Sequence, residues 1–338
     1  MENPSRAEFA VVGLGKMGGN LALQALQKHF HVVGVDKGQI ANTLLDAGLR
    51  PTSIADLASE LVSPRIVLLY VPAGRAVDAV IDDLAGVLTK GDVVADGGNS
   101  YWGDSIRRHG RLARHGIELV DVGTSGGVAG ARHGACFMVG GNSDAVKRIE
   151  PILRDLAVEG GYVHAGGPGA GHFVKLVHNG IEFGMLQSIA EGVALLEGYR
   201  EALAVEDVLG SWRHGSVIRS WLIDLMAAAY REQKGLGRIP AYVEDTGEVN
   251  WLVDDALRME IPIPVIAQSV MQLLASRDDR KDGARAIAAM RRGFGGHPFG
   301  PDEAIARGRR SGRIGGFVAD RAEDGSHEPG MSPGQPRK

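Results

Sequence analysis

The first half of the chain alternates short, continuously apolar runs with stretches of helical period, and this alternation is the strongest constraint on the fold. Phe9–Val12, His31–Val35, Ile66–Val71, Asp92–Asp96, Ile117–Val122 and Cys136–Val139 read as strands, and Leu14–Lys28 reads as a helix. Several of these runs are apolar at every position rather than at every second one. A strand buried on both faces has that pattern, as in a parallel sheet covered by helices. The alternation predicts a doubly wound α/β domain with a mostly parallel sheet.

The pattern changes at Ala165–Gly171, a glycine- and proline-rich hinge by composition. Beyond it no strand is expected. His172–Tyr199, Glu206–His214, Ser216–Tyr230, Trp251–Glu260, Val265–Ala275 and Arg280–Arg292 have helical period, with a break at Pro262 and Pro264. The expected organisation is an α/β nucleotide-binding domain over 1–166, an all-α domain over 167–299 and a tail over 300–338. That tail mixes Gly, Arg, Ser, Pro and acids without apolar period, and disorder is the expectation. A length of 338 residues agrees with two domains.

Charge and cysteine content narrow the function. A net charge of -4 argues against a general nucleic-acid binder. The single cysteine, Cys136, excludes an intramolecular disulfide and a cysteine zinc cluster, and suits a reducing cytoplasm, the expected location. Lying in an apolar run, Cys136 is expected to pack in the core. Met1–Phe9 has no apolar signal region. The longest apolar run, Ile66–Ala73, is far short of the ~20 residues of a membrane span, so no membrane partner is expected. His29, His31, His109, His115, His133 and His164 lack metal-ligand spacing, and no metal is expected. The basic cluster Arg307–Arg313 reads as a solvated segment.

Gly13-Leu14-Gly15-Lys16-Met17-Gly18 matches G-x-G-x-x-G between a strand and a helix. Gly13 permits the tight turn, Gly15 lets a pyrophosphate approach the backbone, and Gly18 lets helix and strand pack closely. Free N–H groups at the helix start attract the anion. Asp36 ends the second strand, where a carboxylate accepts the ribose hydroxyls and repels a 2′-phosphate; NAD is favoured over NADP, with Lys37 alongside as a contrary charge. Val71-Pro72-Ala73-Gly74 and Asp96-Gly97-Gly98-Asn99-Ser100 end two further strands and would face the cofactor, although ordinary connections, above all at 71–74, also fit.

Lys175, His178, Asn179 and Glu182 fall at i, i+3, i+4 and i+7, on one face of a helix. An amine, an imidazole, an amide and a carboxylate there suit a catalytic face or, equally by periodicity, a solvated polar stripe. Asp121-Val-Gly-Thr-Ser-Gly-Gly127 follows a strand. Its backbone N–H groups and the Ser125 hydroxyl suit a carboxylate, or the segment is a structural turn.

Taken together, these motifs resemble the 6-phosphogluconate dehydrogenases (decarboxylating), in their short bacterial form, within the β-hydroxyacid dehydrogenases. The matching strings are Gly13-Leu-Gly-Lys-Met-Gly-Gly-Asn20, Asp96-Gly-Gly-Asn-Ser100, Ser125-Gly-Gly-Val-Ala-Gly-Ala-Arg132, Lys175-Leu-Val-His-Asn-Gly-Ile-Glu182 and Phe294-Gly-Gly-His297. The resemblance implies a Rossmann-type domain followed by helices, with Gly13, Leu14, Gly15, Met17, Gly18, Asp36, Val71, Pro72 and Asn99 on the cofactor. It implies that Lys175 is the general base and Glu182 the acid. Asn99, Ser125, Gly126, Gly127, His178 and Asn179 would hold a small anionic sugar acid. Arg291 and His297 would reach it from a neighbouring subunit, implying a homodimer or homotetramer.

The chain departs from the family pattern at three places. Phe183 stands where the family has tyrosine, so a hydroxyl used on the substrate phosphate is missing. Val249 and Asn250 stand where the short form has glycine and a basic residue. Leu273 stands at an expected arginine. Each lost charge-assisted contact costs about 1.5–3 kcal/mol in a site built for a dianion. The leading reading is therefore oxidative decarboxylation of 6-phosphogluconate with NAD+. The runner-up is the same chemistry on another, non-phosphorylated 3-hydroxy acid. A third, a catalytically silent NAD-binding protein, leaves the retention of Lys175 and Glu182 without a purpose.

Overall fold

The structure is a computed structural model that describes residues 9–199, 201–304, 306 and 307. Residues 308–338, which hold most of the expected tail and of the Arg307–Arg313 cluster, lie outside the described residues.

The N-terminal elements alternate. They are β1 (Phe9–Val12), α1 (Lys16–Gln27), β2 (Val32–Val35), α2 (Asn42–Asp46), β3 (Arg50–Pro51), α3 (Leu57–Glu60), β4 (Ile66–Leu69), α4 (Arg75–Ala85), β5 (Val93–Asp96), α5 (Trp102–Ala113), β6 (Glu118–Ser125), α6 (Gly127–His133), β7 (Ala135–Gly140), α7 (Ser143–Leu156) and β8 (Ala157–Gly166). Helices follow: α8 (Ala170–Glu197), α9 (Val205–Trp212), α10 (Trp221–Gln233), α11 (Glu248–Arg258), α12 (Pro264–Ala275) and α13 (Asp282–Gly295).

The strands form one sheet in the order β3-β2-β1-β4-β5-β6-β7-β8, parallel except at the antiparallel β6–β7 pair. This is the expected doubly wound α/β domain followed by helices. The reversal of strand order beside β1 opens the crevice at which such sheets bind ligands. The continuous apolar runs are buried on both faces because successive side chains point to opposite sides. Phe9, Val11, Leu68, Val93 and Ala95 pack with Leu21, Ala22 and Ala25 of α1 and with Ile149 and Leu153 of α7. Ala10, Val12, Val67, Leu69 and Val94 pack on the other face with Val77, Ile81 and Leu84 of α4 and Leu112 of α5. Each buried Val, Leu, Ile or Phe side chain among these contributes about 1.5–3 kcal/mol.

Two strands were not expected. β3 has two exposed residues, too few to show a period. β8 is a largely exposed edge strand held by its ladder to β7, so it lacks the continuous apolar run of a central strand. β6 also runs past the expected Val122, because Gly123, Thr124 and Ser125 pair with Met138, Phe137 and Cys136. Contrary to the expected core position, Cys136 is exposed. Its neighbours Ala135 and Phe137 are buried, whereas Cys136 points to the opposite face at the start of β7. In the helical part, α10 starts at Trp221 rather than at Ser216 because the Ser220 hydroxyl caps it, accepting the Ile223 N–H at 3.3 Å.

The chain divides into two compact units. Among the described residues, one runs to Gly180 and includes Gly247–Ile261; the other comprises Ile181–Thr246 and those from Pro262 onward. The first holds the sheet. In the second, Val193, Val205, Leu209 and Ala227 form a small core, and α13 buries none of its residues.

Candidate active site

The turn between β1 and α1 has the geometry its glycines predict. Gly13 has φ +92°, and a Cβ there would lie 2.5 Å from the Tyr70 carbonyl oxygen. A Cβ on Gly18 would overlap the Gly13 carbonyl, while one on Gly15 would meet nothing within 4 Å. Gly15 is thus the open point for a ligand, directly before a helix whose start has no side-chain cap. Leu14 and Met17 pack their side chains against the core, which leaves their backbone to the loop. Asp36 accepts the Leu14 N–H at 2.6 Å and the Gly38 N–H at 2.7 Å. One carboxylate therefore braces the glycine loop, and its remaining lone pairs can accept ribose hydroxyls. These residues fit a nicotinamide dinucleotide.

Beyond β4, Val71 is half-buried and Pro72 exposed. Beyond β5, the fully buried Asp96 accepts the Gly98 N–H at 3.1 Å and the Ser100 hydroxyl at 2.8 Å, shaping the turn that carries exposed Asn99. The Tyr70 ring fills the space a Gly97 side chain would need, and its hydroxyl meets Thr124 Oγ1 at 3.2 Å. Burial pushes the Tyr70 phenol above its ordinary range, with the Asp96 carboxylate adding to the rise.

The start of α8 lies against β6 and β7. Buried Asp121 accepts the N–H of Gly169 at 2.7 Å and that of His172 at 2.9 Å, so a carboxylate satisfies the positive end of the helix. His172 Nδ1 meets Ser105 Oγ at 2.7 Å, and Phe173 packs edge-on to Trp102, which ties α8 to α5. Glycines allow the close approach: a Cβ on Gly123 would lie 2.5 Å from Lys175 Cβ, and one on Gly171 would lie 2.5 Å from the Asp121 carbonyl.

This docking brings a run of predicted residues together. Lys175 Nζ lies 3.4 Å from His178 Nδ1, and His178 Nε2 lies 3.0 Å from Ser125 Oγ. His178 Nδ1 also lies 3.3 Å from Asn179 Oδ1, and Asn179 Nδ2 reaches Asn99 Oδ1 at 3.5 Å. Gly126 and Gly127 both have positive φ in the turn from β6 into α6. An amine, an imidazole, a hydroxyl and two amides thus come together, groups able to hydrogen-bond a polar ligand and to move a proton. α8 continues unbroken, so half-buried Glu182 lies on the same helix seven residues after Lys175. In the second unit, Arg291 Nη2 lies 3.4 Å from His297 Nε2, beside a cleft of about 240 Å³ also lined by Asp302 and Glu303. Phe183 and Leu273 are half-buried and Asn250 is exposed. Among the described residues, no group of three or more His, Cys, Asp or Glu could hold a metal ion, and no helix is long and apolar enough to cross a membrane.

Two parts of the chain match family models: residues 8–166 the NAD-binding domain of 6-phosphogluconate dehydrogenase, and residues 171–300 the C-terminal domain of the same enzyme. The chain belongs to the 6-phosphogluconate dehydrogenase family. A Bacillus subtilis protein named "Putative 6-phosphogluconate dehydrogenase YqeC" is 44% identical over 292 residues, covering 86% of this chain and 98% of that protein. A Haloferax volcanii protein named as an NAD(+)-dependent, decarboxylating 6-phosphogluconate dehydrogenase is 40% identical over 294 residues, covering 86% and 97%. The solved 6-phosphogluconate dehydrogenase of Plasmodium falciparum superposes with a TM-score of 0.73 at 26% identity, covering 87% of this chain and 66% of that one. The chain is therefore an oxidoreductase of this family with a nicotinamide-dinucleotide-binding domain.

The sequence placed Asp96 and Asp121 at the heads of two turn motifs but gave neither a part of its own. A carboxylate within or at the end of an apolar strand must find donors, and that was the available signal. Tyr70 and Ser105 carried no local signal, because their partners are distant in sequence.

Proposed function

We propose that this protein oxidises 6-phosphogluconate at C3 with NAD+ and decarboxylates the product to ribulose 5-phosphate. The hydrogen-bonded run Lys175–His178–Ser125, with Asn179 and Asn99 beside it, carries this reading. The dinucleotide, when held by the Gly13–Gly18 loop and Asp36, would supply the hydride acceptor for C3. Lys175 takes the proton of the C3 hydroxyl as hydride departs. The resulting 3-keto acid loses carbon dioxide, leaving an enediol whose oxygen the ammonium of Lys175 stabilises by charge. Glu182 then donates a proton to C1 of the enediol, the former C2 of the acid, which gives ribulose 5-phosphate. Ser125, Gly126 and Gly127 hold the carboxylate, and Asn99, His178 and Asn179 orient the hydroxyls. Gly13, Leu14, Gly15, Met17, Gly18, Asp36, Val71 and Pro72 hold the dinucleotide. Asp36 favours NAD+, because its carboxylate opposes a 2′-phosphate. The helical domain from 167 to 299 binds substrate and a second copy, whose Arg291 and His297 complete the site.

Phe183, Asn250 and Leu273 favour a second reading, the same reaction on a non-phosphorylated 3-hydroxy acid. Initial rates of NADH formation with 6-phosphogluconate and with gluconate, each with NAD+ and NADP+, separate the two. A strong preference for the phosphorylated acid supports the first reading, and equal rates support the second. Lys175→Met should bind NADH normally and lose turnover by about 10²–10⁴-fold; retained activity removes Lys175 from its role.

A further inference from the structure

Arg108 lies on α5, and its side chain is completely buried. A buried cation is expensive unless it is paired and hydrogen-bonded. Its neighbours show what it holds. Arg108 Nε donates to Asp78 Oδ1 at 3.0 Å, and Nη2 donates to the Gly74 carbonyl at 3.0 Å. On the other side of the fork, Nη1 lies 3.6 Å from the fully buried carboxylate of Asp96. Asp104 stands 3.8 Å from Nη2.

Two turns therefore share one guanidinium. Gly74 closes the turn after β4, which contains Val71 and Pro72. Asp96 opens the turn after β5 and, through Gly98 and Ser100, shapes the segment bearing Asn99. The adjacent Arg107 reaches Asp78 and Asp104 and is half-exposed, so it duplicates the acid contacts without spanning the two turns. A lysine cannot reproduce the span, because a point charge lacks the planar fork.

We propose that Arg108 is a positioning residue that sets the spacing of the 71–74 and 96–100 turns, and so holds Asn99 against the nicotinamide end of the cofactor. This rests on the reading that these two turns flank cofactor and substrate. A loss of the tie displaces both turns together and weakens cofactor binding and turnover, because small displacements at a reacting centre cost rate steeply.

The test uses full-length Arg108→Lys, with Asp78→Asn as a second variant that keeps the arginine and removes one arm of its support. NADH binding followed by fluorescence titration requires no turnover. It is expected to weaken about tenfold in Arg108→Lys and in the same direction, less steeply, in Asp78→Asn. The kcat with the best sugar acid is expected to fall at least about tenfold at temperatures where circular dichroism shows both variants folded. A purely structural ion cluster would lower the melting temperature and leave NADH affinity and kcat at wild-type values in the folded protein; that result overturns the proposal. If Arg108→Lys fails to fold, unchanged NADH affinity and kcat in Asp78→Asn overturn it equally. Absence of turnover in the wild type with any sugar acid would defeat the proposed function, while NADH affinity alone would still decide the role of Arg108.

Discussion

Gly123 and Lys175 are packed so closely that a methyl group on Gly123 would sit 2.5 Å from the Lys175 Cβ and 2.9 Å from the Gly171 carbonyl oxygen. A strand residue thus sets the position of an amine fifty-two positions later in the chain. Gly123→Ala must push α8 off β6, since backbone lies on one side and a helix-borne Cβ on the other. The expected loss is about 1–3 kcal/mol of stability and about 10²-fold in kcat, with NADH affinity unchanged. Parallel urea denaturation, NADH titration and initial rates check this. A wild-type kcat in the folded variant would disconnect the packing from the chemistry.

Asp121 holds the start of that helix through the Gly169 and His172 N–H groups. Asp121→Asn keeps one acceptor oxygen but turns an amide NH₂ toward donors and removes the charge that complements the helix end. A loss of about 2–3 kcal/mol is expected, because a buried charge-assisted pair is replaced by an unmatched one. The shift of the urea midpoint measures it. A change under about 0.5 kcal/mol would show that the helix start does not depend on this carboxylate.

Acid should destabilise the first unit through Asp92. Burial pushes its carboxyl up, but the N–H groups of Thr89 and Arg65 and the Arg65 guanidinium outweigh burial and hold it below the ordinary aspartate range. The folded form thus binds its proton less readily than the unfolded chain. Its contribution is complete above the unfolded pKa and is lost as pH falls through the lower folded value. Melting temperature should therefore drop from about pH 5 to pH 3, and less steeply in Asp92→Asn. Parallel slopes in the two proteins would remove Asp92 as a source.

Cys136 is exposed and paired in register with Ser125. Directly opposed residues on antiparallel strands place their Cβ atoms about 4.5–5.5 Å apart on one face. A maleimide should therefore label Cys136 in the native protein without denaturant. The adduct should lower activity by obstructing Ser125, and Cys136→Ser should escape that inhibition. Labelling only after denaturation would contradict the exposed placement, and labelling without inhibition would separate Cys136 from the site.

The nucleotide-binding end was legible because its evidence is local. Gly13, Gly15, Gly18 and Asp36 act on backbone within one strand–turn–helix–strand, and the distances found there match the spacing. The face of Lys175, His178 and Asn179 was legible as a face because helical period projects residues three and four apart to one side. Its meaning was not, since a solvated stripe has the same period. The contact of Ser125 Oγ with His178 Nε2 shows that this face packs against β6, and it joins residues fifty-three apart.

The sequence by itself determined the alternation of β and α, the parallel sheet, the glycine turn and the helical second half, because apolar period and turn chemistry act over a few residues. Only the tertiary structure decided which carboxylates serve helices and turns, that Cys136 faces outward, that β8 completes an edge, and that Arg108 bridges two turns. These outcomes depend on pairings between distant segments. An edge strand or a buried ion cluster is stabilised by partners absent from its own stretch of chain, so no local pattern marks it.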